Sequence, residues 1–125
     1  MFCRIYINKE QIKREELLIS IANLYKSELV NNRYIERDGS STDVTKNDEY
    51  DENKCKIFPD GFLYFPFSIE IEFSDEISEE SAAKDVGPLL EFLWKNNYTA
   101  IASCDFEEIL PERGGYRSRN IPWFK

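Results

Sequence analysis

The first group of residues that could do chemistry lies at 104–108, where Cys104 and Asp105 precede Glu107 and Glu108. A cysteine nucleophile acts as a thiolate, which a neighbouring base or cation stabilises, and no lysine or arginine adjoins Cys104 in the sequence. Because the chain contains no histidine, it cannot build a Cys–His pair, a Ser–His pair or a histidine zinc site. We therefore expect Cys104 to be a buried, inert thiol and the protein to have no catalytic residues.

The second group is the acidic run at 47–52, which lacks apolar periodicity and is predicted to form an exposed loop. Carboxylates on such a loop can pair with lysine and arginine of another protein, while Tyr50 supplies an aromatic anchor. A mobile loop without a partner is the alternative interpretation. The predicted partner-binding residues combine both acidic groups: Asp48, Glu49, Tyr50, Asp51, Glu52, Asp105, Glu107 and Glu108.

The same carboxylates offer the oxygen ligands that Mg²⁺ prefers, so a joint site of Asp105, Glu107 and Glu108 with the 48–52 loop is another interpretation. The loop, however, lacks the ligand spacing and the glycine of a calcium-binding loop. Clustered carboxylates without a specific spacing usually form a solvated face. We therefore expect no metal site and no cofactor.

The charge of the chain restricts its partners. It carries 24 acidic and 16 basic residues, which gives a formal net charge of −8. A negative surface repels nucleic-acid phosphates and anionic membranes, and it attracts basic proteins. Many bacterial cytosolic proteins are acidic for solubility alone, and that explanation stays open. We expect a basic protein partner, with no direct contact to nucleic acid or membrane.

Cysteine number and apolar patterning indicate the compartment. The three cysteines are Cys3, Cys55 and Cys104, an odd number without a CxxC spacing, which disfavours a disulfide framework. The apolar stretch at the N-terminus is too short for a signal peptide, and Arg4 interrupts it. No window reaches the roughly 18 apolar residues of a membrane-spanning helix. These features predict a cytoplasmic protein.

Hydrophobic periodicity predicts the strands and helices that must position these side chains. Their order is that of an α+β, ferredoxin-like βαββαβ sandwich, with an antiparallel sheet and two helices on one face. We expect one domain over 1–125, with an acidic loop at 38–57 and a C-terminal tail at 112–125. The expected strands are 2–8, a hairpin of 33–37 and 41–46, 62–73 and 98–106, and the expected helices are 10–29 and 78–97.

Two local conflicts appear in this pattern. Pro66 lies inside the long alternating run at 62–73, which predicts a bulge or an edge position there. Pro88 follows Gly87 inside the second helical stripe, which predicts a kink or a restart of the helix. The aromatic tail, with Tyr116, Trp123 and Phe124, is expected to fold back and close the core, because exposed aromatic side chains favour aggregation.

Several segments resemble a group of small uncharacterised bacterial proteins. The similarity rests on Asp60-Gly-Phe-Leu-Tyr-Phe65, Leu89-Leu-Glu-Phe-Leu-Trp94, Cys104-Asp-Phe-Glu-Glu-Ile-Leu-Pro111 and Gly114-Gly115. In size, charge and composition the chain also resembles immunity proteins, which neutralise a toxin from the same gene cluster. That resemblance implies a tight complex with a toxin domain, often a basic nuclease, and it supplies no catalytic residues.

Two further hypotheses remain open at this point. One is a small enzyme or ligand-binding domain with a site near Cys104 and Asp105. The other is a self-associating domain in which Phe62 and Tyr64, on the second face of the long strand, pair across a dimer interface. We expect a monomer or a weak homodimer.

Overall fold

A computed structural model describes residues 1–123 and confirms the α+β class, with two helices and one antiparallel sheet. The sheet has six strands in the order β2-β3-β4-β5-β1-β6. The prediction that the tail folds back can be followed as far as Trp123, and Phe124 lies outside the described residues. The elements are β1 Phe2–Asn8, α1 Arg14–Leu24, β2 Leu29–Val30, β3 Tyr34–Arg37, β4 Ser40–Lys46, β5 Phe67–Phe73, α2 Glu79–Lys95 and β6 Thr99–Cys104.

One face of the sheet packs against both helices. Alternate residues of each strand point to this face, so Ile5 of β1 lies between Ile69 of β5 and Ala102 of β6. The facing residues of the helices are aliphatic and buried, among them Leu18 in α1 and Leu90 in α2. The residues of this core therefore follow strand alternation in the sheet and helical spacing in α1 and α2.

The other face is covered over part of its area by segments without long helices or strands. Two 3-10 turns, Lys54–Lys56 and Asp60–Tyr64, precede β5. They meet the C-terminal segment in an aromatic layer, where the Trp123 ring lies 5.0 Å from Phe58 and 5.5 Å from Phe65. Ile101 of β6 and Phe65 are buried beneath this layer. The tail does fold back as expected, onto the face opposite the helices.

The predicted long strand at 62–73 is wrong over its first five residues. Asp60–Tyr64 is a 3-10 turn, and β5 begins only at Phe67. A Cβ atom on Gly61 would lie 2.6 Å from the carbonyl oxygen of Lys54, so the turn at 60–64 packs too closely on the preceding turn for any larger residue. Leu63, expected on the core face, is therefore exposed.

The first helix is shorter than predicted, because it ends at Leu24 rather than near residue 29. Lys26 adopts a left-handed conformation with φ of 55°, which helices avoid. Leu29 and Val30 then pair with β3 and add a strand that periodicity had assigned to the helix. The predicted hairpin of 33–37 and 41–46 is confirmed by β3 and β4, which pair antiparallel.

The second helix runs without interruption from Glu79 to Lys95, so the restart expected at Pro88 does not occur. A proline ring normally clashes with the Cβ atom of the preceding residue in a helix, and Gly87 has none. Ser78 caps the helix by accepting a hydrogen bond from the Ser81 amide at 3.1 Å, and serine is among the residue types preferred at this position.

Both edges of the sheet are protected against further pairing. β2 has only two residues. Along the outer edge of β6, the Trp94 indole N–H donates to the Ala100 carbonyl at 2.9 Å. Gly115 packs beside that same carbonyl, where a Cβ atom would come within 2.8 Å of the oxygen. Covering an edge strand in this way prevents it from pairing with another chain.

Candidate protein-binding surface

The acidic loop at 47–52 is held in place by its ends. The Asn47 side-chain amide donates to the carbonyls of Leu63 and Phe65 at 3.0 and 2.8 Å. The Asn47 backbone N–H donates to Pro66 at 2.9 Å, and the Asp51 backbone N–H donates to Tyr64 at 3.2 Å. The loop is therefore fastened to the turn that precedes β5, and its position relative to that turn is defined.

Large apolar side chains lie exposed on these fastened segments. Tyr50 is 50% exposed, Ile57 63% and Leu63 44%. Because Asp51 bonds to Tyr64, the chain around Tyr50 runs beside the chain around Leu63. Exposed apolar side chains with a polar rim are typical of protein-binding surfaces. We call Tyr50, Ile57 and Leu63, with the carboxylates of 48–52, the loop surface.

Most carboxylates of the loop surface form no ion pair with the described part of the chain. Asp48, Glu49 and Glu52 are exposed and take part in none of the ion pairs formed within residues 1–123. Asp51 differs, because its carboxylate accepts hydrogen bonds from the backbone N–H groups of Lys54 and Asn53, both at 2.9 Å. Those two bonds lower the pKa of Asp51. Asp51 therefore shapes the loop, while the other three carboxylates face solvent.

A polar groove adjoins the loop on the uncovered part of the sheet. Its volume is about 410 Å³, and Asp48 and Glu49 line it together with Lys46, Arg4 and Glu70. Arg4 and Glu70 lie on neighbouring strands and form an ion pair at 2.6 Å. The groove thus presents two carboxylates that form no ion pair within residues 1–123, one neutralised pair and the ammonium group of Lys46. Asp48 and Glu49 are therefore available to a basic side chain of a partner.

The second acidic group does not join this surface. β4 ends at Lys46, beside the first residue of β5, whereas Cys104 ends β6 at the opposite end of the sheet. Strand spacing and rise place Lys46 and Cys104 roughly 20 Å apart. Within the second group, Glu107 accepts a hydrogen bond from the Cys104 amide at 3.2 Å, and Glu108 lies 3.8 Å from Arg113. Asp105 is exposed. The eight predicted residues therefore form two separate surfaces.

This separation also contradicts the joint magnesium site that the carboxylates suggested. Over residues 1–123 no three cysteine or carboxylate side chains come close enough to hold a metal ion. In the same part of the chain, neither helix has the length and apolarity needed to span a membrane.

Sequence reasoning missed two residues of the loop surface. Ile57 and Leu63 look like core residues by type, and Leu63 also has the parity of the buried Ile69 and Ile71. The only available signal was Phe58-Pro-Asp-Gly61, which marks a turn between the two residues. A turn there makes it unsafe to extend the strand alternation back to Leu63.

No family model, no curated protein and no solved structure matches this chain.

Proposed function

We propose that this protein is a protein-binding inhibitor of the immunity type, which neutralises a basic toxin by covering the toxin's active site. The proposal is supported by one observation above all: exposed apolar side chains lie beside three exposed carboxylates that form no ion pair within residues 1–123. Buried aromatic and aliphatic anchors supply most of the affinity at protein interfaces, and surrounding charges select and steer the partner.

The proposed mechanism uses the two kinds of residue differently. Asp48, Glu49 and Glu52 take the place of substrate phosphates opposite lysine and arginine of a nuclease-type toxin. Tyr50 and Leu63 insert into apolar depressions beside that site. The net charge of −8 accelerates the encounter with a positively charged partner. The fastened ends of the loop limit the entropy that binding removes.

The test uses the protein product of the neighbouring gene as the probe, with affinity measured by titration calorimetry. We expect the triple charge reversal Asp48→Lys, Glu49→Lys and Glu52→Lys to weaken binding at least about 100-fold, equivalent to roughly 2.7 kcal/mol. Toxicity of that gene product, assayed as nuclease activity, should return in the presence of the variant.

The matched control is the triple reversal Asp75→Lys, Glu76→Lys and Glu80→Lys, which changes the net charge equally on exposed residues before and within α2. It should weaken binding by less than about 10-fold, because only long-range attraction is lost. Equal losses in both variants would refute the loop surface as the binding site. Failure of the native protein to bind the neighbouring gene product would refute the proposed function.

The finer fold assignment belongs to the same proposal. Strands β4, β5, β1 and β6, taken with α1 and α2, follow the order of a ferredoxin-like sandwich, and β2 and β3 extend it beyond β4. We infer an elaborated sandwich of this kind, acting in the cytoplasm. The three thiols are compatible with that compartment.

A further inference from the structure

Two of the three cysteines lie directly opposite each other on neighbouring strands. Cys3 of β1 pairs in register with Cys104 of β6. Both side chains point to the helix-facing side of the sheet, where Cys3 is fully buried and Cys104 is partly exposed. The two residues are about a hundred positions apart in the sequence, so only the fold brings them together.

The hydrogen-bond pattern defines how close the two strands are at this pair. Met1 and Phe73 exchange backbone bonds, because the Phe73 N–H donates to Met1 and the Met1 amino group donates to Phe73. Bonding alternates along an antiparallel pair, so Cys3, two residues on, also directs its N–H and C=O toward β5. Its backbone groups therefore point away from Cys104.

The other strand gives the same answer independently. The Ala100 carbonyl accepts from Trp94 at the outer edge of β6, and the Cys104 N–H donates to the Glu107 carboxylate rather than to β1. Because alternate residues of a strand direct their N–H and C=O groups to the same side, the backbone groups of Cys104 point to this outer edge, as those of Ala100 do. Cys3 and Cys104 thus form a non-hydrogen-bonded pair, in which Cα atoms approach to about 4.5 Å. A disulfide requires Cα atoms about 4.4–6.8 Å apart, so the backbone need not move to accept one.

The two thiols differ in the way that a stepwise exchange requires. The proximity of the two thiols lowers the pKa of Cys104 and, together with burial, raises that of Cys3. The carboxylates of Glu107 and Asp105 oppose part of the effect on Cys104. Cys55 contrasts with this pair, because it is buried, has no thiol neighbour in register, and donates instead to the Glu52 carbonyl at 3.3 Å.

We propose that Cys3 and Cys104 form a thiol–disulfide exchange site whose reactant is a low-molecular-weight disulfide of the glutathione type. This inference is independent of the proposed function, since the pair lies at the end of the sheet opposite the loop surface. The partly exposed Cys104 reacts first, and the buried Cys3 resolves the intermediate.

The two steps balance without any further reagent. The Cys104 thiolate attacks one sulfur of glutathione disulfide, so a mixed disulfide forms on Cys104 and one glutathione thiolate leaves. The Cys3 thiol then attacks the Cys104 sulfur, its proton passes to the departing sulfur, and the second glutathione leaves as a thiol. Cys3 and Cys104 are oxidised by two electrons, and glutathione disulfide is reduced to two glutathione molecules.

The test treats the reduced, natively folded chain with glutathione disulfide, blocks remaining thiols with an alkylating reagent in denaturant, and maps tryptic peptides by mass. Trypsin separates the three cysteines into peptides 1–4, 55–56 and 96–113. We expect peptides 1–4 and 96–113 to be joined, with Cys55 alkylated. Three alkylated cysteines after prolonged treatment, or a cross-link that includes Cys55, would overturn the proposal.

Three variants separate the steps. Cys3→Ser should stop at the mixed disulfide, with one glutathione on peptide 96–113, because the resolving thiol is gone. Cys104→Ser should leave Cys3 alkylated and free of glutathione, because Cys3 is buried. Cys55→Ser should form the same cross-link as the native chain. A glutathione adduct on Cys3 in Cys104→Ser would contradict the order of attack, and the mapping of the native chain remains decisive if a variant fails to fold.

Discussion

The two faces of the sheet are covered in different ways. Helices α1 and α2 cover one face with aliphatic side chains at regular helical spacing. The other face is partly covered by 3-10 turns and the C-terminal segment, whose contacts are largely aromatic. A helix satisfies its own backbone hydrogen bonds, whereas irregular segments depend on contacts between distant parts of the chain. The helix-covered core should therefore be stable as a unit, and the aromatic layer should open more readily.

The location of the loop surface follows from this difference. Its residues belong to the segments that build the aromatic layer, and the aromatic layer leaves the groove beside Arg4 and Glu70 open. Binding residues are commonly found on loops that a rigid scaffold positions. Here the helix-covered face serves as the scaffold, and the irregular face carries the candidate site.

The largest expected effect comes from truncating one buried side chain in each layer. Leu90→Ala, on the buried side of α2, should lower the free energy of unfolding by about 2–5 kcal/mol, and Phe65→Ala, in the aromatic layer, by about 3–5 kcal/mol. Urea denaturation measures both values. Ile19→Ala, on an exposed position of α1, is the control and should change stability by less than about 0.5 kcal/mol.

Hydrogen exchange in these two variants sharpens the comparison. Phe65→Ala should accelerate amide exchange at 54–65 and 111–121 under native conditions, because the aromatic layer opens locally. Leu90→Ala should accelerate exchange throughout β1 and β5. Identical exchange patterns in the two variants would mean that both faces unfold together and that the aromatic layer does not open more readily than the helix-covered core.

An intermediate effect is expected at Gly115, which fits the C-terminal segment against β6. Its φ is 96°, and a Cβ atom would lie 2.8 Å from the Ala100 carbonyl oxygen. Gly115→Ala should therefore cost about 1–3 kcal/mol and expose the outer edge of β6 to pairing. Light scattering should then detect more self-association than in the native chain.

The control for this variant is Arg113→Gly in the same turn. Arg113 has a φ of 52° and an exposed side chain, so glycine relieves backbone strain there without entering a packed contact. It should remain as monomeric as the native chain. Self-association of Arg113→Gly alone would indicate that edge exposure is not the cause.

The smallest effect is expected for Asp51→Asn, which tests how the loop is fastened. The pKa of Asp51 is lowered from 3.8 by the backbone N–H groups of Lys54 and Asn53. A carboxyl whose pKa is lowered in the folded state stabilises the protein fully above its unfolded-state pKa. This stabilisation is lost as the pH falls from there through the folded-state pKa. Asp51→Asn should thus be slightly less stable at neutral pH, and the difference should shrink as the pH falls below about 3.9. Thermal denaturation over this pH range checks this.

The helix-covered face could be predicted from the sequence to a large extent. Cys3, Ile5 and Ile7 alternate with polar residues, and the stripe of α2 repeats at helical spacing, so local periodicity identifies both the elements and their buried sides. The N-cap at Ser78 is also a local feature, because the capping bond joins residues three positions apart.

The irregular face was predicted incompletely. The alternation of Leu63 and Phe65 continues that of β5, yet Phe65 packs beside Trp123, and Leu63 is exposed. The contact partners lie almost sixty positions apart in the sequence, so no local pattern records them. Likewise, sequence alone grouped the acidic residues of 48–52 with those of 105–108, which the strand register places at opposite ends of the sheet.

The sequence by itself determined the α+β class, the helix-covered core and the acidic character of the candidate site, because each depends on residue type and short-range periodicity. The tertiary structure alone decided that the acidic residues of 48–52 and those of 105–108 are separate, that Tyr50 lies near Leu63, and that Cys3 faces Cys104. These pairings depend on strand register and on contacts between distant segments. Such contacts follow from the free energy of the whole packed chain, so a local stretch of sequence does not specify them.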